Sequence, residues 1–127
     1  MRLLICGSRD WNDKLIITQY LERLQPSVVI EGEAPGADTL ARQAAKALDI
    51  KVEAYPADWR LHGRSAGMVR NQQMLDEGKP DYVLAFHDHI ELSRGTKDMV
   101  NRAEEAGLPV AIWTHGSTMI WDIEEKT

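Results

Sequence analysis

This chain has one cysteine, no dense run of lysine or arginine, and no apolar stretch long enough to cross a bilayer. Each shortage excludes something. Cys6 cannot close an internal disulfide, which fits a reducing, cytoplasmic setting; inside the apolar run Leu3 to Cys6 it reads as a small buried side chain. A formal net charge of −5 argues against nucleic acid as the main partner, because phosphate backbones demand a basic surface. The chain opens Met1-Arg2 and goes straight into a short strand, so neither a signal peptide nor a membrane partner is expected. Neither G-x-G-x-x-G nor G-x-x-x-x-G-K-S/T occurs, which removes the main support for ordinary dinucleotide and P-loop binding. No cofactor is expected. No Ser-His-Asp set is recognisable, and Cys6 has no evident histidine partner. His87-Asp88-His89 puts alternate residues on one face, yet a third and fourth ligand are not evident even with His115 near, so no metal is expected.

What is present alternates. Short apolar runs at Leu3 to Cys6, Ser27 to Glu31, Lys51 to Tyr55, Asp81 to Phe86 and Val110 to Trp113 read as strands. Between them lie helical stripes. Ile17, Tyr20, Leu21 and Leu24 form one, with Asn12 or Asp10 as the expected cap. Ala37, Leu40, Ala41, Ala44, Ala47 and Leu48 form the clearest. Ser65 to Glu77 reads as a helix with Gly78 at its C′ position, and Gly95 to Ala106 as another closed by Gly107. Pro56 to Gly63 reads as irregular, with Trp59 folded back as a lid, and Thr118 to Ile123 as a short edge strand. The 127 residues therefore predict one α/β domain with a mainly parallel sheet of about five strands. In the common 3-2-1-4-5 order, a crevice opens between the first and fourth strands, walled by Gly7-Ser8-Arg9 and by Phe86 to Thr96.

The polar residues cluster just after the strands. Glu31 to Leu40, bracketed by Gly32 and Gly36, runs from a strand directly into a helix whose first amides lack intrahelical partners, a candidate anion site. Glu31, Glu33 and Asp38 work against it unless Arg9, Arg64 or Arg70 reaches over, so Asp38 is expected to cap its helix or hold a ribose hydroxyl. Gly7-Ser8-Arg9 offers close backbone approach and a guanidinium suited to phosphate, or else an arginine paired with Asp10 or Asp38. Ser93-Arg94-Gly95-Thr96 is the better anion site, with Thr96 as a simple N-cap the bland alternative. The tryptophans read as core or interface, with Trp59 the exception as a base-stacking platform; Trp113 and Trp121 make a homo-oligomer the expectation.

One further pattern spans Leu3 to about Ile112. Cys6-Gly7-Ser8-Arg9-Asp10-Trp11, Gly36-Ala37-Asp38, Pro56-Ala57-Asp58-Trp59, Gly63-Arg64-Ser65-Ala66-Gly67, Arg70-Asn71-Gln72-Gln73-Met74, Ala85-Phe86 and Gly95-Thr96-Lys97-Asp98-Met99-Val100 occur in order. Together they resemble the YspA/YpsA-related branch of the SLOG superfamily, which also holds DprA proteins and the LOG phosphoribohydrolases. The resemblance implies a single Rossmann-like three-layer domain over residues 1–127 that binds a nucleotide or a nucleotide-derived signal, such as an ADP-ribose- or NAD-like molecule, to sense or sequester it. Arg9, Arg70 and the Gly95-Thr96 helix start would hold phosphate, Asp38 ribose, and Trp59 or Phe86 the base. Gly7, Ser8, Gly32, Gly36, Ala37, Arg64 and Asn71 complete the expected ligand-binding set. LOG enzymes carry P-G-G-x-G-T-x-x-E; here Gly95-Thr96 remains, but the catalytic glutamate position falls on Met99. Met68-Val69-Arg70 resembles the LOG stretch that supplies a catalytic arginine. Arg70 and Asp98 are therefore the catalytic candidates of the alternative, a LOG-like N-glycosidic hydrolase, with Glu33 a second carboxylate choice.

Overall fold

A computed structural model describes residues 1–115. The strands β1 (Arg2–Gly7), β2 (Val28–Glu31), β3 (Lys51–Ala54), β4 (Tyr82–Phe86) and β5 (Val110–Trp113) form one parallel sheet in the order β3-β2-β1-β4-β5. Helices α1 (Lys14–Leu24) and α2 (Ala37–Ala47) cover one face; α4 (Ala66–Asp76) and α5 (Gly95–Glu105) cover the other. A short helix α3 (Trp59–His62) precedes α4. The fold is Rossmann-like α/β, as the alternation of runs and stripes predicts.

The central strands are apolar throughout because they are buried on both faces. Leu3, Ile5, Leu84 and Phe86 point towards α1 and α2; Leu4, Cys6, Val83 and Ala85 point towards α4 and α5. Burial also holds the Cys6 thiol far above its ordinary range, so it stays a neutral core side chain. Alanines 37, 41, 44 and 45 of α2 are buried, and their small size lets the helix lie close on β1 and β2.

Several local expectations shift. Asp13, not Asn12 or Asp10, caps α1, its Oδ1 accepting from the Ile16 amide at 3.3 Å. Gly78 follows the C-cap Glu77 of α4, as expected of a C′ residue, but the left-handed residue is the next one, Lys79 (φ 47°), and a Cβ on Gly78 would run into the Met74 carbonyl. Trp59 begins α3 with 58% of its surface exposed and is no folded-back lid. Trp113 is buried in the core beside Trp11 and Phe86, which removes its part in the case for self-association. The expected strand at Thr118 to Ile123, and Trp121, lie outside the described residues.

Candidate functional site

β1 and β4 run side by side to Gly7 and Phe86, and the Ser8 amide adds one more rung to the Phe86 carbonyl at 2.9 Å. Beyond that point the chains part, β1 towards α1 on one face and β4 towards α5 on the other. Divergence at a topological switch point leaves a crevice at the C-terminal edge of the sheet. A cavity of about 590 Å³ lies there, walled by Gly7 to Asn12 on one side and by His87 to His89 and Leu92 to Thr96 on the other. That volume is in the range of small-molecule sites.

Charge and amides converge on this cavity. Arg9 and Arg94 face it from opposite walls, and neither forms an ion pair among the described residues. Arg9 thus pairs with neither Asp10 nor Asp38. At the start of α5, Ser93 Oγ accepts the Thr96 amide at 3.0 Å, so Ser93 rather than Thr96 supplies the cap. A Cβ on Gly95 would meet nothing, so the first turn of α5 borders open space. Asn71 of α4 braces this turn from behind, donating to the Gly95 carbonyl at 3.2 Å and to Asp98 Oδ2 at 3.1 Å.

The other helix start is closed. Asp38 Oδ2 accepts the Gly32 and Ala34 amides at 3.0 and 3.3 Å, tying down the turn before its own helix. The Ala37 amide donates to the Ser8 carbonyl at 3.0 Å, and the Glu33 amide to Glu31 Oε1 at 2.7 Å. Arg70 lies under the turn, its guanidinium donating to the Gly32 carbonyl and to the Tyr55 carbonyl at 3.5 Å. Gly36 (φ 79°) packs where a Cβ would strike the Ser8 carbonyl, and a Cβ on Gly32 would strike the Arg70 guanidinium. Burial pushes the Asp38 carboxyl up to about 6 and that of Glu31 up to about 7; Glu31 Oε2 has no partner among the described residues.

The structure therefore divides the expected set. Gly7, Ser8, Arg9, Gly95 and Thr96 meet at one cavity. Gly32, Gly36, Ala37, Asp38 and Arg70 are absorbed in the neighbouring turn, so Arg70 does not share a phosphate site with Arg9. Phe86 is fully buried, so its ring cannot flank a base. Trp59 and Arg64 are exposed on α3 and the turn after it, away from the cavity lining. Asp98 also turns away, accepting from Arg102 at 2.8 Å and from Asn71. Glu33 pairs with Arg42 at 3.5 Å. Beyond the expected walls the cavity brings in Asp10, Trp11, Asn12 and His115, while Arg94 lies in the expected Phe86 to Thr96 wall. Asp10, Trp11 and Asn12 directly follow the singled-out Gly7-Ser8-Arg9.

Three comparisons bear on this geometry. The YspA, cpYpsA-related SLOG family matches residues 1–62. The chain is 37% identical over 119 residues to the Gene 61 protein of Mycobacterium phage D29, covering 86% of this chain and 93% of that protein. The X-ray structure of DNA processing protein A (DprA) from Streptococcus pneumoniae superposes with a TM-score of 0.72 at 19% identity, over 87% of this chain. The chain spans only 49% of that DprA chain, and the likeness is one of fold. On the family match and the phage relative, this chain belongs to the YspA, cpYpsA-related SLOG family.

Proposed function

We propose that the protein binds a nucleotide or nucleotide-derived ligand in the β1/β4 cavity. One observation carries the reading: two guanidinium groups without an ion pair among the described residues, Arg9 and Arg94, flank the cavity at the sheet's switch point, beside the first turn of α5, where Gly95 borders open space. Guanidinium and first-turn amides are the groups that recognise phosphate, and family membership supports a nucleotide-related ligand. The net charge of −5 favours a small ligand over a nucleic-acid strand, although the DprA neighbour is a DNA-processing protein. N-glycosidic hydrolysis through the candidate Asp98 is disfavoured because that carboxylate is held by Arg102 and Asn71 outside the cavity. Such cleavage needs a carboxylate at the reacting carbon.

Calorimetry with AMP, ADP and ADP-ribose tests the reading. Arg9→Ala is expected to weaken the best of these by about tenfold or more, which is about 1.4 kcal/mol, while leaving the melting temperature unchanged. Failure of all three to bind, or equal affinity in Arg9→Ala, would refute it.

A further inference from the structure

His115 follows β5 and reaches back across the cavity. Its ring stacks on the Trp11 indole, centroids 4.7 Å apart and planes inclined by 18°. Its Nδ1 lies 2.8 Å from Asp88 Oδ2, on the β4 side, and its Nε2 lies 3.1 Å from Asp13 Oδ2, at the start of α1. One ring thus joins the two walls. Carboxylates only accept hydrogen bonds, and a neutral imidazole can donate through one nitrogen only. The arrangement as a whole fits the imidazolium, which also gains from lying over an indole face. Trp11 is 5% exposed although it lines the cavity, with His115 stacked against its ring.

We propose that His115 is a proton-held cover on the Trp11 face of the cavity, and that loss of its proton frees this face for the flat heteroaromatic ring of a ligand. The proposal rests on the reading of the cavity as a ligand site. The His115 backbone amide donates to Asp88 Oδ1 at 2.8 Å independently of the ring, so the segment stays anchored when the ring leaves. The charged and titratable groups around the ring are Arg9, Asp10 and Asp13 on the β1 side, and His87, Asp88, His89 and Arg94 on the β4 side. Hydrogen bonds donated to Asp88 and Asp13 raise the His115 pKa above the ordinary histidine value, while those from His115 lower that of Asp88. The cover is accordingly held between the lowered Asp88 value and the raised His115 value, and opens as pH rises through the latter. His87 behaves oppositely: burial lowers its pKa, and its Nδ1 accepts the His89 amide at 2.9 Å, both of which favour its neutral form.

Two measurements decide the matter. In the ligand-free protein, NMR follows the Trp11 indole N–H, which donates to the Asp13 carbonyl at 3.0 Å, together with the His115 ring carbons. Over about pH 5.5 to about pH 8.5 the two signals are expected to shift together, with a midpoint above the ordinary histidine value that Asp88→Asn lowers. An indole signal that stays fixed while the imidazole titrates overturns the cover. In the second, ADP-ribose affinity is measured across the same range, its pyrophosphate not titrating there. Wild type is expected to tighten by about tenfold with rising pH, and His115→Ala to bind tightly and without pH dependence. Equal, flat affinities in both proteins overturn the proposal. If His115→Ala binds no ADP-ribose at any pH, the nucleotide reading falls for this ligand, and the ligand-free titration alone decides the cover.

Discussion

Two turns in this molecule look alike in sequence and end in opposite states. Each leaves a parallel strand, passes through glycine and opens a helix. After β2, the turn's polar groups are taken up by its own surroundings: Asp38 binds the Gly32 and Ala34 amides, Ser8 takes the Ala37 amide, and Arg70 fills the space below. After β4, the loop swings away from β1, and the start of α5 faces a cavity with two arginines that have no ion pair among the described residues. A helix N-terminus is an anion site only where the fold leaves its amides a free approach. The first turn is a clasp, and the second borders open space.

The contrast can be broken at its stiffest point first. Gly36→Ala would place a methyl against the Ser8 carbonyl at a backbone conformation suited to glycine, and is expected to cost about 3 kcal/mol or more, read as a lowered urea midpoint. A near-neutral substitution would mean that the clasp is loose. Arg70→Ala comes next. Removing the guanidinium leaves the Gly32 and Tyr55 carbonyls without their donor and should cost about 2 kcal/mol of stability. Nucleotide affinity should hold within about twofold, and a tenfold loss of affinity at unchanged stability would return Arg70 to the binding site.

The smallest effect concerns the buried acid. The native carboxyl of Glu31, pushed up to about 7, holds a proton that the unfolded chain has already released. Its contribution to stability therefore falls as pH rises from the ordinary glutamate value towards 7. Glu31→Gln keeps an acceptor for the Glu33 amide and should flatten that fall, gaining about 1 kcal/mol at pH near 7.5. Urea titrations at two pH values check it; parallel losses in both proteins would show that Glu31 is already neutralised by other means.

Much of the fold was legible. The strand order, the crevice between β1 and β4 and the helix stripes follow from runs that must be buried on two faces and stripes buried on one. Gly7-Ser8-Arg9 and Gly95-Thr96 were legible as neighbours at the crevice for a related reason, since topology brings those strand ends together. Phe86 was misread because its motif adjoins the crevice, yet it is the backbone there that leaves the sheet while the ring alternates inward. Trp11 was read as core or interface and is core; it also borders the cavity because the β1 loop folds over at Ser8, whose carbonyl takes the Trp11 amide at 3.2 Å.

The amino-acid sequence by itself determined the parallel sheet, its layers and the sheet edge at which polar residues gather, because burial of apolar runs is a local, periodic demand. Only the tertiary structure decided which helix start stayed open. That choice depends on partners far apart along the chain, Arg70 with Gly32 and His115 with Asp13 and Asp88, and hydrogen-bond partners at such separations leave no period to read.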